Sequence, residues 1–197
     1  MKKTFTINKP WLFVKSALLL LLCWLASFVI VMFFPMCYQK FGIVMCFIFG
    51  ICSVGASVCI YGDSMLKLGK NMRISDERSG ADNSKFGLLM GLVPTVINYI
   101  FVIILYLSKF GVIAYDFYPL YKTLTFYFMP LTYIVAPNEA VVVDGIVQSV
   151  NVPATELSIG AMMLVTILPI IFLITCHVAY TIAYKRVDVK SKILYGK

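Results

Sequence analysis

Charge is scarce in this sequence. Only 13% of its 197 residues are Asp, Glu, Lys or Arg, about half the quarter usual in soluble domains. Alongside 61% hydrophobic residues and a mean hydropathy of +0.91, that deficit excludes a water-soluble fold and a disordered chain. Histidine occurs once, as His177, and the six cysteines (23, 37, 46, 52, 59 and 176) include no Cys-x-x-Cys pair. No zinc set and no disulfide framework are therefore expected. A Gly-x-Ser-x-Gly elbow, a His-Glu-x-x-His pair and a phosphate-binding loop are all missing. His177 adjoins Cys176, but neighbours one apart on a helix point in different directions. The expectation is a protein that is not an enzyme and carries no cofactor or metal.

What the sequence has instead is long apolar runs. A hydrocarbon core of about 30 Å needs about 20 helical residues per crossing. Runs at about 14–35, 41–61, 86–107 and 157–184 meet that length, and none of their cores holds a charged residue. They predict an all-α polytopic membrane protein: one integral domain over residues 1–197, built as a four-helix bundle. Met1-Lys2-Lys3 before the first run resembles a signal peptide. The run exceeds the 7–15 apolar residues of a cleavable signal and ends in the bulky Phe33-Phe34-Pro35-Met36, so it reads as a retained span.

Between the third and fourth runs, residues 112–136 carry Asp116, Pro119, Lys122 and Pro130. The uncharged part, 123–136, is too short to cross. A re-entrant or interfacial segment rich in Tyr and Phe is expected there. The outer loop 137–156 follows, with Asp144-Gly145 between β-branched runs as a hairpin signal. Its Glu139, Asp144 and Glu156 have no basic neighbour in the loop.

The net charge of +8 is not gathered into a stripe that would track nucleic acid; it flanks the apolar runs. With four crossings, the head, the 62–85 loop and the tail share one side and hold 4, 5 and 5 basic residues. Only Lys40, Lys109 and Lys122 fall opposite. The positive-inside rule then makes both termini cytoplasmic, and the basic flanks and lack of disulfide pairing fit a bacterial plasma membrane. A fifth crossing through 123–136 would send the basic tail outside. The stretch Lys67–Arg73 is expected as a short amphipathic helix on an anionic lipid surface, with Asn83 or Ser84 capping the third span.

Inside the spans, Gly87 and Gly91 form a Gly-x-x-x-Gly pair, and Gly42, Cys46 and Gly50 a small-residue ladder; both are candidate helix-packing seams. Pro94 and Pro169 each remove a helical donor and free the carbonyls of Met90 and Val165. His177 and Asn98 lie at similar depth, which suggests a polar cluster with Tyr180 and Thr95. Two functions are compatible with this pattern. One is a non-catalytic accessory, assembly or protective partner in a membrane complex, with the lipid bilayer and another membrane or cytoplasmic subunit as partners. The other is a transport subunit or small-solute channel with a cavity near His177 and Asn98.

Overall fold

The computed structural model describes residues 9–143 and 146–185, the side chains of Lys9 and of 139–150 excepted. The elements run α1 (Lys9–Val31), α2 (Phe34–Phe41), α3 (Ile43–Ser79), α4 (Phe86–Lys109), α5 (Tyr118–Leu124), α6 (Met129–Val135), β1 (Glu139–Val143), β2 (Ile146–Val150), a single 3-10 turn at Ala154–Glu156, α7 (Ile159–Ile167) and α8 (Ile170–Tyr184). Four helical stretches are long and apolar enough to cross a bilayer, as in a multi-pass membrane protein: Pro10–Val31, Ile43–Ser79, Phe86–Lys109 and Ile159–Tyr184.

Proline places the start of the short elements. Pro35, Pro119 and Pro130 each stand at the first or second position of α2, α5 and α6. There the missing N–H is one the helix would not use, and the fixed φ is already helical. Pro94 sits within α4, whereas Pro169 divides the fourth stretch into α7 and α8. Ser158 caps α7, its hydroxyl accepting from the Ala161 N–H at 3.1 Å, which satisfies one of the unpaired donors of the first turn.

Several expectations require correction. Residues 62–79 are no loop with a separate surface helix: α3 runs unbroken for 37 residues, about 55 Å at 1.5 Å per residue. Gly62 and Gly69 weaken that helix without stopping it. The i,i+4 pairs Asp63–Lys67 (2.6 Å) and Arg73–Glu77 (3.6 Å) sit along its polar end. Residues 36–40 are helical rather than a turn. Gly42 is not a packing glycine; it caps α2 with φ +60, and nothing lies within 4 Å of the position its Cβ would take. Glycine tolerates that left-handed conformation because it has no Cβ to clash. The Asn83 side-chain amide donates to Asp76 at 2.7 Å.

The chain divides into two compact units. The first comprises residues 1–20, 58–95 and 170–197. In it, small residues of α3 and α4 meet α8. A Cβ on Gly87 would stand 2.4 Å from the Cβ of Tyr180, one on Gly91 3.0 Å from Leu173 Cα and Cys176 Cβ, and one on Gly69 2.7 Å from the Tyr180 carbonyl. Gly87 and Gly91 of α4 and Gly69 of α3 thus all stand against α8. Aromatic edges fill the remainder, with Phe13 on Phe86 and Tyr61 on Phe172.

The second unit comprises residues 21–57 and 96–169. One buried cluster in it gathers Val102 and Leu105 of α4, Tyr118 and Tyr121 of α5, and Ala161, Met162 and Val165 of α7. Another joins Val31, Phe34 and Cys46, with Phe126, Met129 and Tyr133 against them. Gly50 stands against the Leu131 side chain of α6. β1 and β2 pair antiparallel, from Glu139 opposite Val150 to Val143 opposite Ile146. The connecting Asp144-Gly145, and the side chains of Glu139 and Asp144, lie outside the described residues.

Candidate functional site

A proline inside a buried helix leaves a carbonyl one turn earlier without its usual donor, so the first question at Pro94 is what replaces it. In the first unit, the Ser16 hydroxyl donates to the Met90 carbonyl at 3.1 Å, and Tyr61 donates in turn to the Ser16 carbonyl at 2.7 Å. Thr95 bonds back to the Gly91 carbonyl at 2.8 Å. In the second unit, next to Pro169, the Tyr99 hydroxyl donates to the Thr166 carbonyl at 3.0 Å, and Tyr106 shares a hydrogen bond with the Thr166 hydroxyl at 3.1 Å. At Pro94 a neighbouring side chain thus meets the freed carbonyl, as membrane burial demands; beside Pro169 the bonded carbonyl is that of Thr166, next to the freed one of Val165.

The four residues expected as a polar cluster have other partners. Tyr180 donates to the Asn83 carbonyl at 2.8 Å, Thr95 bonds Gly91, and Asn98 accepts from the Tyr127 hydroxyl at 2.7 Å. His177 Nδ1 is buried with no hydrogen-bond partner, and so is the Thr181 hydroxyl one turn further along α8. At the end of α8, the Tyr184 hydroxyl and the Asn83 backbone and side-chain amides all donate to Asp76 at 2.7–2.9 Å. Arg73 donates to the Ala183 carbonyl at 3.1 Å. These bonds clasp the ends of α3 and α8. Beside them, Asp82 is held below the usual carboxylate range by the Ser84 N–H it accepts from.

The densest polar chemistry of the second unit is at α5 and α6. The turn between them reaches well along the longer helices. Thr123 accepts from the Trp24 indole at 2.7 Å, and the Tyr127 carbonyl accepts from Ser53 at 3.0 Å. Ser53 lies ten residues into α3, about 15 Å from its first residue. Next to Thr123 on α5 sits Lys122, only 4% exposed. Its ammonium donates to Asn138 Oδ1 at 2.9 Å and Asn151 Oδ1 at 3.0 Å. It stands 4.3 Å from the Tyr118 ring centroid and 4.8 Å from that of Tyr133. Two aromatic faces and two amide oxygens form a complete cage for one cation.

Burial lowers the Lys122 pKa to about 8, opposed by the Asp116 carboxylate. Burial also pushes the Tyr118 and Tyr121 phenols up, so both stay neutral. Asp116 is itself tied down, accepting from the Tyr118 and Ala154 N–H groups at 3.1 and 3.0 Å.

Compared with protein-family models, curated proteins and solved structures, the chain matches none. The site therefore stands on its own geometry. In the sequence Lys122 reads as an outer charge and as one of the residues that break the 112–136 stretch. The available signal was a lone lysine set among Tyr115, Phe117, Tyr118 and Tyr121; the two asparagines 16 and 29 residues away carried none. No group of three or more His, Cys, Asp or Glu residues is placed to hold a metal among the described residues.

Proposed function

We propose that this is a non-catalytic four-span protein of the plasma membrane, with both termini cytoplasmic, that serves as an accessory or assembly partner in a larger membrane complex. In this reading α5 and α6 form a re-entrant pair that enters and leaves on the outer side, and the β1–β2 hairpin lies outside. The observation that carries the reading is how the polar backbone at the breaks is used. Ser16 takes the Met90 carbonyl, Trp24 the Thr123 carbonyl and Ser53 the Tyr127 carbonyl. Carbonyls that would coordinate a permeating solute or ion in a transport path are occupied by the protein's own donors. The orientation rests on the 14 basic residues of the head, the 62–85 region and the tail, against three elsewhere.

A second reading, a transport subunit or solute channel, is favoured by one feature. His177 Nδ1 and the Thr181 hydroxyl are buried one turn apart without partners, as a solute-binding face would require. Two measurements separate the readings. Recovery of a second protein in fixed stoichiometry from native membranes in mild detergent supports the partner role. Solute flux through the purified protein alone in liposomes overturns it. For orientation, a thiol reagent applied to intact cells should label Ser149→Cys and spare Ser191→Cys until the membrane is opened.

A further inference from the structure

A two-stranded hairpin of five-residue strands is marginal in water on its own, so β1 and β2 need something to hold them. In the observed register Glu139 pairs with Val150. Asn138 and Asn151 are therefore the next residues outward on the two strands, where the hairpin meets the rest of the chain. Both side-chain oxygens accept from the same ammonium, that of Lys122. Lys122 belongs to α5, while the rings against it come from α5 (Tyr118) and α6 (Tyr133). A single cation therefore touches both short helices and the two residues that flank the hairpin. Asp116 adds a second tie on the exit side, holding the Ala154 N–H just beyond Asn151 at 3.0 Å.

We infer that Lys122 is a latch, whose ammonium fastens the β1–β2 hairpin, as a strap, by its two flanks to the α5–α6 pair. The device has a definite energetic character. An ammonium removed from water carries a desolvation cost that its partners only offset. Replacing it with an apolar side chain of similar length need not lower global stability. What is lost is the attachment of the strap. The latch thus acts on the local opening of one segment, which is where lids and gating elements reside.

Hydrogen exchange on the full-length protein in lipid nanodiscs tests this, read separately over β1 and β2, α5 and α6, and α8. Lys122→Met should speed exchange in 139–143 and 146–150 at least tenfold while α8 stays unchanged. The Asn138→Ala/Asn151→Ala pair leaves the lysine in place and should produce the same local loss. This second variant decides the matter if Lys122→Met does not fold. In Lys122→Ala, millimolar n-butylammonium should restore protection to the hairpin, and n-butanol should not. Unchanged hairpin protection in the double asparagine variant overturns the latch. So does equal rescue by butanol, because the cage would then be filled rather than charged.

Discussion

Replacing Gly87 with alanine probes the seam of the first unit with a single methyl group. The added Cβ would sit 2.4, 2.6 and 2.8 Å from Tyr180 Cβ, Cγ and Cδ1, where carbon atoms prefer about 3.5–4.0 Å. The near atoms belong to the root of the ring, so no rotamer change removes the clash. Tyr180 is fully buried and its hydroxyl is held by the Asn83 carbonyl. The helices must therefore separate by about 1 Å. Overpacking of this kind costs about 1–3 kcal/mol, and losing the Tyr180 hydrogen bond adds about 0.6 kcal/mol. The better helix propensity of alanine returns about 1 kcal/mol. The expected net loss is about 0.6–2.6 kcal/mol. Gly62→Ala is the matched control, since nothing lies within 4 Å of its Cβ position, and should be neutral or up to about 1 kcal/mol more stable. Reversible unfolding in mixed micelles by SDS titration measures both. If Gly87→Ala unfolds at the same SDS fraction as Gly62→Ala, the close approach of α4 to α8 is not real and the seam argument fails.

Two further outcomes follow from the same structure. Ser16→Ala should cost about 0.6 kcal/mol, at most about 1.7, by leaving the Met90 carbonyl beside Pro94 without its donor. The same titration reads it, and Pro94→Ala combined with Ser16→Ala should cancel most of the loss, because the helix then supplies that donor itself. Burial holds the Lys122 pKa at about 8 against an ordinary 10.5. The unfolded chain therefore binds more protons between those values, and stability should climb as pH rises from 8 toward 10.5. Below pH 8 the burial penalty is fully present. Lys122→Met should lose that slope; parallel pH profiles for the two proteins would contradict the burial of the charge.

How much of this was legible in advance differs from element to element. Each of the four long helices overlaps an apolar run, because an apolar run of sufficient length has little alternative to helix in lipid. The boundaries were harder. The run ending near Tyr61 lost its hydrophobicity but not its helix, since Lys67, Leu68, Met72 and Arg73 are good helix formers and Gly69 is drawn against α8. The kinks at Pro94 and Pro169 were visible, yet only the second splits its helix. Gly42 and Gly87 look alike in the sequence; one turns a corner and the other seats a tyrosine.

By itself, then, the sequence determined the solvent, the number of long apolar helices and the places where prolines start or bend them. All three follow from local composition and the length a bilayer demands. Which donor meets each freed carbonyl, and which glycine touches a neighbouring helix, were decided only by tertiary structure. The closure of a cage around Lys122 by residues 118, 133, 138 and 151 belongs with them. Hydrogen bonds and close packing act over a few ångströms between residues far apart along the chain, and periodicity carries no record of those pairings.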